Sequence, residues 1–175
     1  MDVRFVAPDL RKLDGLDAEV FVSTFHQDER PLRGAAGLLD WRLCGRLSHL
    51  VHAGKLRGEK NEVVLVPTMG RMVFERILMV GAGPIASVDS ASALSSLRAV
   101  FHALDSLKVR RAALALPGRL TGNLEAEPMM ELLTQFILEP HEQDTLTIVD
   151  HGDEHRGMQR VLDGARRRAR VAGTP

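Results

Sequence analysis

Residues 31–84 read PLRGAAGLLDWRLCGRLSHLVHAGKLRGEKNEVVLVPTMGRMVFERILMVGAGP, and the alternation inside this stretch decides the fold. Leu38, Leu39, Leu43, Leu47, Leu50 and Val51 recur at helical spacing, so one long helix with a single apolar stripe is expected. Gly34 and Gly37 stand at its entrance, and Gly54 sits where a left-handed C-terminal cap belongs. Val63-Val64-Leu65-Val66, ended by Pro67, is a short apolar run. Phe74 to Val80 is another, stopped by Gly81-Ala82-Gly83-Pro84. Runs of this kind suit strands buried on both faces. The short connection Thr68–Val73 predicts that the two form a hairpin.

Upstream, Val3–Ala7 and Glu19–Phe25 read as strands separated by a charged linker, Pro8–Asp17. The polar segment His26–Arg33, which contains Pro31, is a loop. Downstream, Ser87–Leu107 is a long helix with Ser87 or Asp89 as its cap. A buried strand at Ala112–Leu116, a helix at Leu124–Leu138, a strand at Thr145–Val149 and a helix at Asp153–Val171 complete the chain. Late strands alternating with helices predict a single α/β domain, three layers α/β/α, around a mixed but largely parallel sheet. The basic end from residue 164 to 175 is expected to fray as a tail.

Composition narrows the function classes. The chain has 175 residues, 45% apolar and 26% charged, with zero formal net charge. That length supports one core without staples, and a neutral balance gives no global pull toward nucleic acid or membrane. Tyrosine is absent and there is one tryptophan, so a stacking platform for single-stranded nucleic acid is not expected. No apolar run approaches the roughly 20 residues that span a bilayer, and the N-terminus Met-Asp-Val-Arg-Phe-Val lacks a signal-peptide core. A cytoplasmic protein is the expectation. The lone cysteine, Cys44, lies among Trp41, Leu43 and Leu47 and reads as a small buried hydrophobe.

Four features of residues 31–84 together resemble the N-terminal domain of the leucyl (cytosol) aminopeptidase family. They are Leu39-Asp40 with Gly45 in the helix, the turn Gly54-Lys55-Leu56-Arg57-Gly58-Glu59-Lys60, the strand Val63–Pro67, and Arg76–Gly83. The resemblance implies a macro-domain-like fold, a class that binds ADP-ribose. It also implies a non-catalytic role in hexamer assembly or in support of the active site. In that family the chemistry belongs to a larger C-terminal domain, which holds two metal ions on a lysine, aspartates and a glutamate beside a catalytic arginine. None of those residues maps onto this sequence, and no catalytic residue, metal site or cofactor is expected.

Two loops are the candidate ligand sites. Gly34-Ala35-Ala36-Gly37 precedes a helix, where small residues let a phosphate approach the backbone. Gly118, Arg119, Thr121 and Gly122 follow a parallel strand, the place where open sheets gather ligands, and Arg119 would add positive charge. The competing reading of each is a tight connection. His151 and His155 are four apart, but Gly152 argues for a helix start there rather than a metal-binding face. His49 and His52 read as a solvated edge, and Arg166–Arg170 as a basic helix end. Two functions follow. One is a non-catalytic assembly or regulatory module that self-associates or joins a protein partner, such as a separate aminopeptidase catalytic chain. The other is a macro-type module for ADP-ribose or a related nucleotide or phosphate ligand. Nucleic acid and membrane partners are not expected.

Overall fold

The structure is a computed structural model that describes residues 1–119, 122 and 124–173. Six strands form one sheet in the order β1-β6-β5-β2-β4-β3: β1 (Asp2–Val6), β2 (Val20–Phe25), β3 (Val63–Pro67), β4 (Arg76–Gly81), β5 (Arg111–Ala115) and β6 (Thr145–Val149). Every neighbouring pair is parallel except β3 with β4, which is antiparallel. The expected hairpin and mixed sheet are therefore present.

The central strands explain the parallel arrangement. β2 and β6 are buried along their whole length, as are all but the first residues of β4 and β5. Side chains alternate across a strand, so each strand feeds two cores. On one face Val20, Val22, Leu78, Leu114 and Ile148 pack under α4 (Ser90–Ser106), α5 (Ala126–Ile137) and α6 (His155–Ala172). On the other, Phe21, Phe25, Ile77 and Met79 meet α1 (Leu10–Leu13), α2 (Gly34–Arg42) and α3 (Arg46–His52).

Several local expectations change. The linker Pro8–Asp17 contains α1, whose Asp9 side chain accepts the Lys12 N–H. The long helix expected through Val51 is two helices, broken at Leu43–Gly45, where Cys44 has φ 55° and Gly45 φ 79°. The left-handed turn points Cys44 outward, so the cysteine expected to be buried is exposed. Asp89, not Ser87, caps α4, in a reciprocal box with Ser92. Hydrogen bonds from the Ser92 backbone and side chain hold the Asp89 carboxyl below its ordinary pKa. α6 runs from His155 to Ala172.

β3 is the strand that departs most from expectation. Read as buried on both faces, it lies at the sheet edge, with Val63 43% and Leu65 39% exposed. Its register places Val63 opposite Val80 and Leu65 opposite Leu78. Those β4 residues are covered in the α4-side core, while the outer strand projects past that cover.

Candidate functional site

Four parallel strands, β1, β6, β5 and β2, end at the same side of the sheet. The connections that leave them converge there on a narrow cleft lined by Pro8, Ala35, Ala115, Arg119, Val149 and Asp150, among others. Both candidate loops reach it: Ala35 comes from the first turn of α2, and Arg119 from the turn after β5. Ala36 does not, since it is fully buried in the core beneath α2. Thr121 lies outside the described residues.

Two of the glycines of these loops, Gly37 and Gly118, are closely packed. A Cβ on Gly37 would stand 2.7 Å from the Leu32 carbonyl oxygen, too close for any other residue without a backbone shift. Gly34 has φ 52°, and Gly118 has φ 73° with Leu124 and Val88 packed against its Cα. Gly122 is also left-handed, at φ 72°, but open around its Cα.

Arg119 decides the chemistry of the cleft. Its Nε donates to Asp150 Oδ2 at 2.8 Å and its Nη2 to Asp150 Oδ1 at 3.2 Å, a bidentate pair. Nη2 also donates to Glu154 Oε1 at 3.2 Å, and Nη1 to the Leu124 carbonyl at 2.9 Å. The Arg119 side chain is 11% exposed and that of Asp150 3%. Burial alone would push the Arg119 pKa down, but the hydrogen bonds and charges of Asp150 and Glu154 outweigh it and raise it. Asp150 is itself held: its N–H donates to the Val6 carbonyl, and its Oδ1 accepts the His151 N–H at 2.7 Å. The space left is about 10 Å³, roughly the room of one water. The cation expected to await a phosphate is thus already neutralised by the protein's own carboxylates.

Sequence reasoning missed Asp150 and Glu154 as its partners. The signal was present: in adjacent parallel strands, residues just past each C-terminus face one another, and Arg119 and Asp150 follow β5 and β6. His151 and His155 do not meet as ligands. His155 Nε2 pairs with the Asp150 carbonyl at 2.8 Å, and His151 is exposed. Among the described residues there is no group of three or more His, Cys, Asp or Glu able to hold a metal ion. At the opposite end of the sheet, Asp105 takes hydrogen bonds from His141, Gln143 and the Glu142 N–H. Burial pushes its carboxyl pKa up, but those donors outweigh it and leave it lowered. The cluster ties α4 to the strand before which it lies, a structural clasp.

The sheet order, the three layers and the converging strand ends define a macrodomain-like α/β protein. A macrodomain of Oceanobacillus iheyensis with MES bound superimposes with TM-score 0.72 at 12% identity, over 94% of this chain and 92% of that one. A Trypanosoma brucei macrodomain in complex with ADP gives 0.70 at 10% identity, over 92% and 69%. A mutant of tomato leucine aminopeptidase gives 0.63 at 17% identity, over 94% of this chain and 36% of the enzyme. These likenesses show the fold. Residues 20–146 match the cytosol aminopeptidase family, N-terminal domain, and the chain belongs to that family. A probable cytosol aminopeptidase of Halorhodospira halophila is 30% identical over 90 residues, which is 51% of this chain but 18% of that relative. The match is to the family's N-terminal domain, and no catalytic domain is matched. No described helix is long and apolar enough to cross a membrane.

Proposed function

We propose that this domain is a non-catalytic assembly or regulatory module of the cytosol aminopeptidase type, acting through protein contacts in the cytoplasm. One observation carries the reading. The cleft at the strand ends, where this fold class would take a ligand, is occupied by the Arg119–Asp150–Glu154 network. A buried charge pair of this geometry is costly to break, because opening it leaves each charge without its counterion. The domain's surface, rather than its cleft, is then the part available for work.

The alternative is a nucleotide or phosphate module, and it has one observation in its favour: Ala35 and Arg119, from the two candidate loops, line the same cleft. In that reading a phosphate replaces Asp150 as the counterion of Arg119. Two measurements separate the readings. Titration calorimetry with ADP-ribose is expected to give no heat of binding at millimolar ligand, and the purified chain is expected to co-sediment with a cytosol aminopeptidase and alter its Leu-amide turnover. An ADP-ribose dissociation constant below about 100 μM, with no effect on the aminopeptidase, would overturn the module reading in favour of the ligand.

A further inference from the structure

The β3 edge differs from every other part of the surface. Among the described residues seven large apolar side chains are exposed, and five of them, Trp41, Val63, Leu65, Met69 and Val73, belong to β3, to the hairpin loop after it or to the helix end beside that loop. The strand Val63–Pro67 carries no charge. Proteins commonly guard such an edge with charged side chains, a short strand or proline, because its unpaired backbone groups are a template for another strand; β3 is short and ends in Pro67, but its exposed side chains are apolar.

The ladder shows which groups are unpaired. The Gly81 N–H donates to the Glu62 carbonyl at 2.8 Å, and the Thr68 N–H donates to the Glu75 carbonyl at 2.9 Å. With the register between them, alternation turns the polar groups of Glu62, Val64, Val66 and Thr68 toward β4. Those of Val63, Leu65 and Pro67 therefore face outward. Among the described residues, no backbone hydrogen bond outside the ladders reaches them.

We infer that β3 is a homodimer interface, in which β3 of a second copy pairs antiparallel with it about a two-fold axis at Leu65. This rests on the assembly reading above and names its partner and surface. The strand is self-complementary. With Leu65 opposite Leu65 of the second copy, each Leu65 N–H donates to the other's carbonyl. Each Val63 N–H donates to the Pro67 carbonyl across the axis. Pro67 has no N–H to give, so the Val63 carbonyls receive nothing in return. The exposed Val63 and Leu65 side chains of both copies then close over one another on the α4 side of the joined sheet.

Antiparallel pairing brings the turn with Glu59 of one copy, where Glu59 pairs with Arg57 at 3.3 Å, beside the hairpin with Arg71 of the other. Arg71 lies there with its Nη1 3.2 Å from Cys44 Sγ. A strand this short, at about 3.4 Å per residue, covers less than a standard interface of roughly 800 Å² per partner. Met69 and Val73 add area beyond its end, and the association is of micromolar strength.

Charge reversal across the axis tests this. The full chain is measured by light scattering and sedimentation from roughly 5 to 200 μM. It is expected to move from 19.3 kDa toward twice that mass. Leu65→Lys and Leu65→Glu are each expected to stay monomeric throughout, and an equimolar mixture to restore the dimer. The mixture serves as the folding control, since misfolded variants would not recombine, and Val63→Lys gives a second monomeric variant. A wild type that stays monomeric over the whole range, or an undiminished Leu65→Lys dimer, overturns the interface. A monomeric wild type that still alters aminopeptidase turnover overturns this pairing alone. A dimer without effect on the aminopeptidase upholds the pairing and overturns the regulatory reading.

Discussion

At the strand ends the polar groups of Arg119, Asp150 and Glu154 are engaged with one another and with the backbone, whereas along β3 the outward N–H and C=O groups meet no described partner. The opposite edge gives a second contrast. β1 carries Asp2 and Arg4, joined at 3.1 Å and both more than half exposed, while β3 presents Val63 and Leu65. Charge closes two of these regions, by filling the cleft and by decorating β1. The third is left to whatever can supply a strand. The strand ends are the satisfied region, and the unsatisfied backbone lies along β3.

Removing the counterion in the cleft should have the largest effect. Asp150→Ala leaves the guanidinium of Arg119 buried with Glu154 alone, and the expected loss is about 3–5 kcal/mol of unfolding free energy by urea denaturation. Asp150→Leu combined with Arg119→Met is the control: replacing both charges by apolar side chains is expected to cost far less, because neither is left buried without its counterion. Equal losses for the two variants would show that the pair is not what closes the cleft.

Pro67→Val adds the missing N–H at the β3 edge without altering the groups that face β4. Two further inter-chain hydrogen bonds become available, at about 0.5–1.5 kcal/mol each, so the dimer is expected to tighten by one to two orders of magnitude in sedimentation. An unchanged association would place the contact away from Pro67. The smallest effect belongs to the charged edge. Arg4→Ala breaks a pair that water screens well, so stability should change by less than about 1 kcal/mol and the chain's mass not at all.

The hydrophobic pattern was enough to read the layers. β4 and β5 appear in the sequence as apolar runs after an arginine, β2 and β6 as short runs rich in β-branched residues, and each long helix as a stripe at helical spacing, because burial on two faces or on one leaves those periods. Leu38–Val51 shows the limit. The stripe continues smoothly through Leu43 and Leu47, yet the backbone turns left-handed at Cys44 and Gly45. Two helices can share one apolar face, and the pattern does not record the break. The candidate loops were legible as glycine and arginine after strand ends, but the same residues suit a ligand or a tight turn. What the sequence leaves out is the neighbours: the Leu32 carbonyl beside Gly37, and Asp150 beside Arg119.

The sequence by itself determined the α/β class, the succession of strands and the family, since local periodicity and short motifs are properties of the chain. Tertiary structure decided two things. β3 lies at an edge because β4 pairs with β2 on its other side, and Val63-Val64-Leu65-Val66 would read the same in a sheet centre. Arg119 is satisfied because β5 and β6 are neighbours, which brings together residues 31 positions apart. Strand order sets which backbone is left open and which charges meet, and strand order is not written in the period of the side chains.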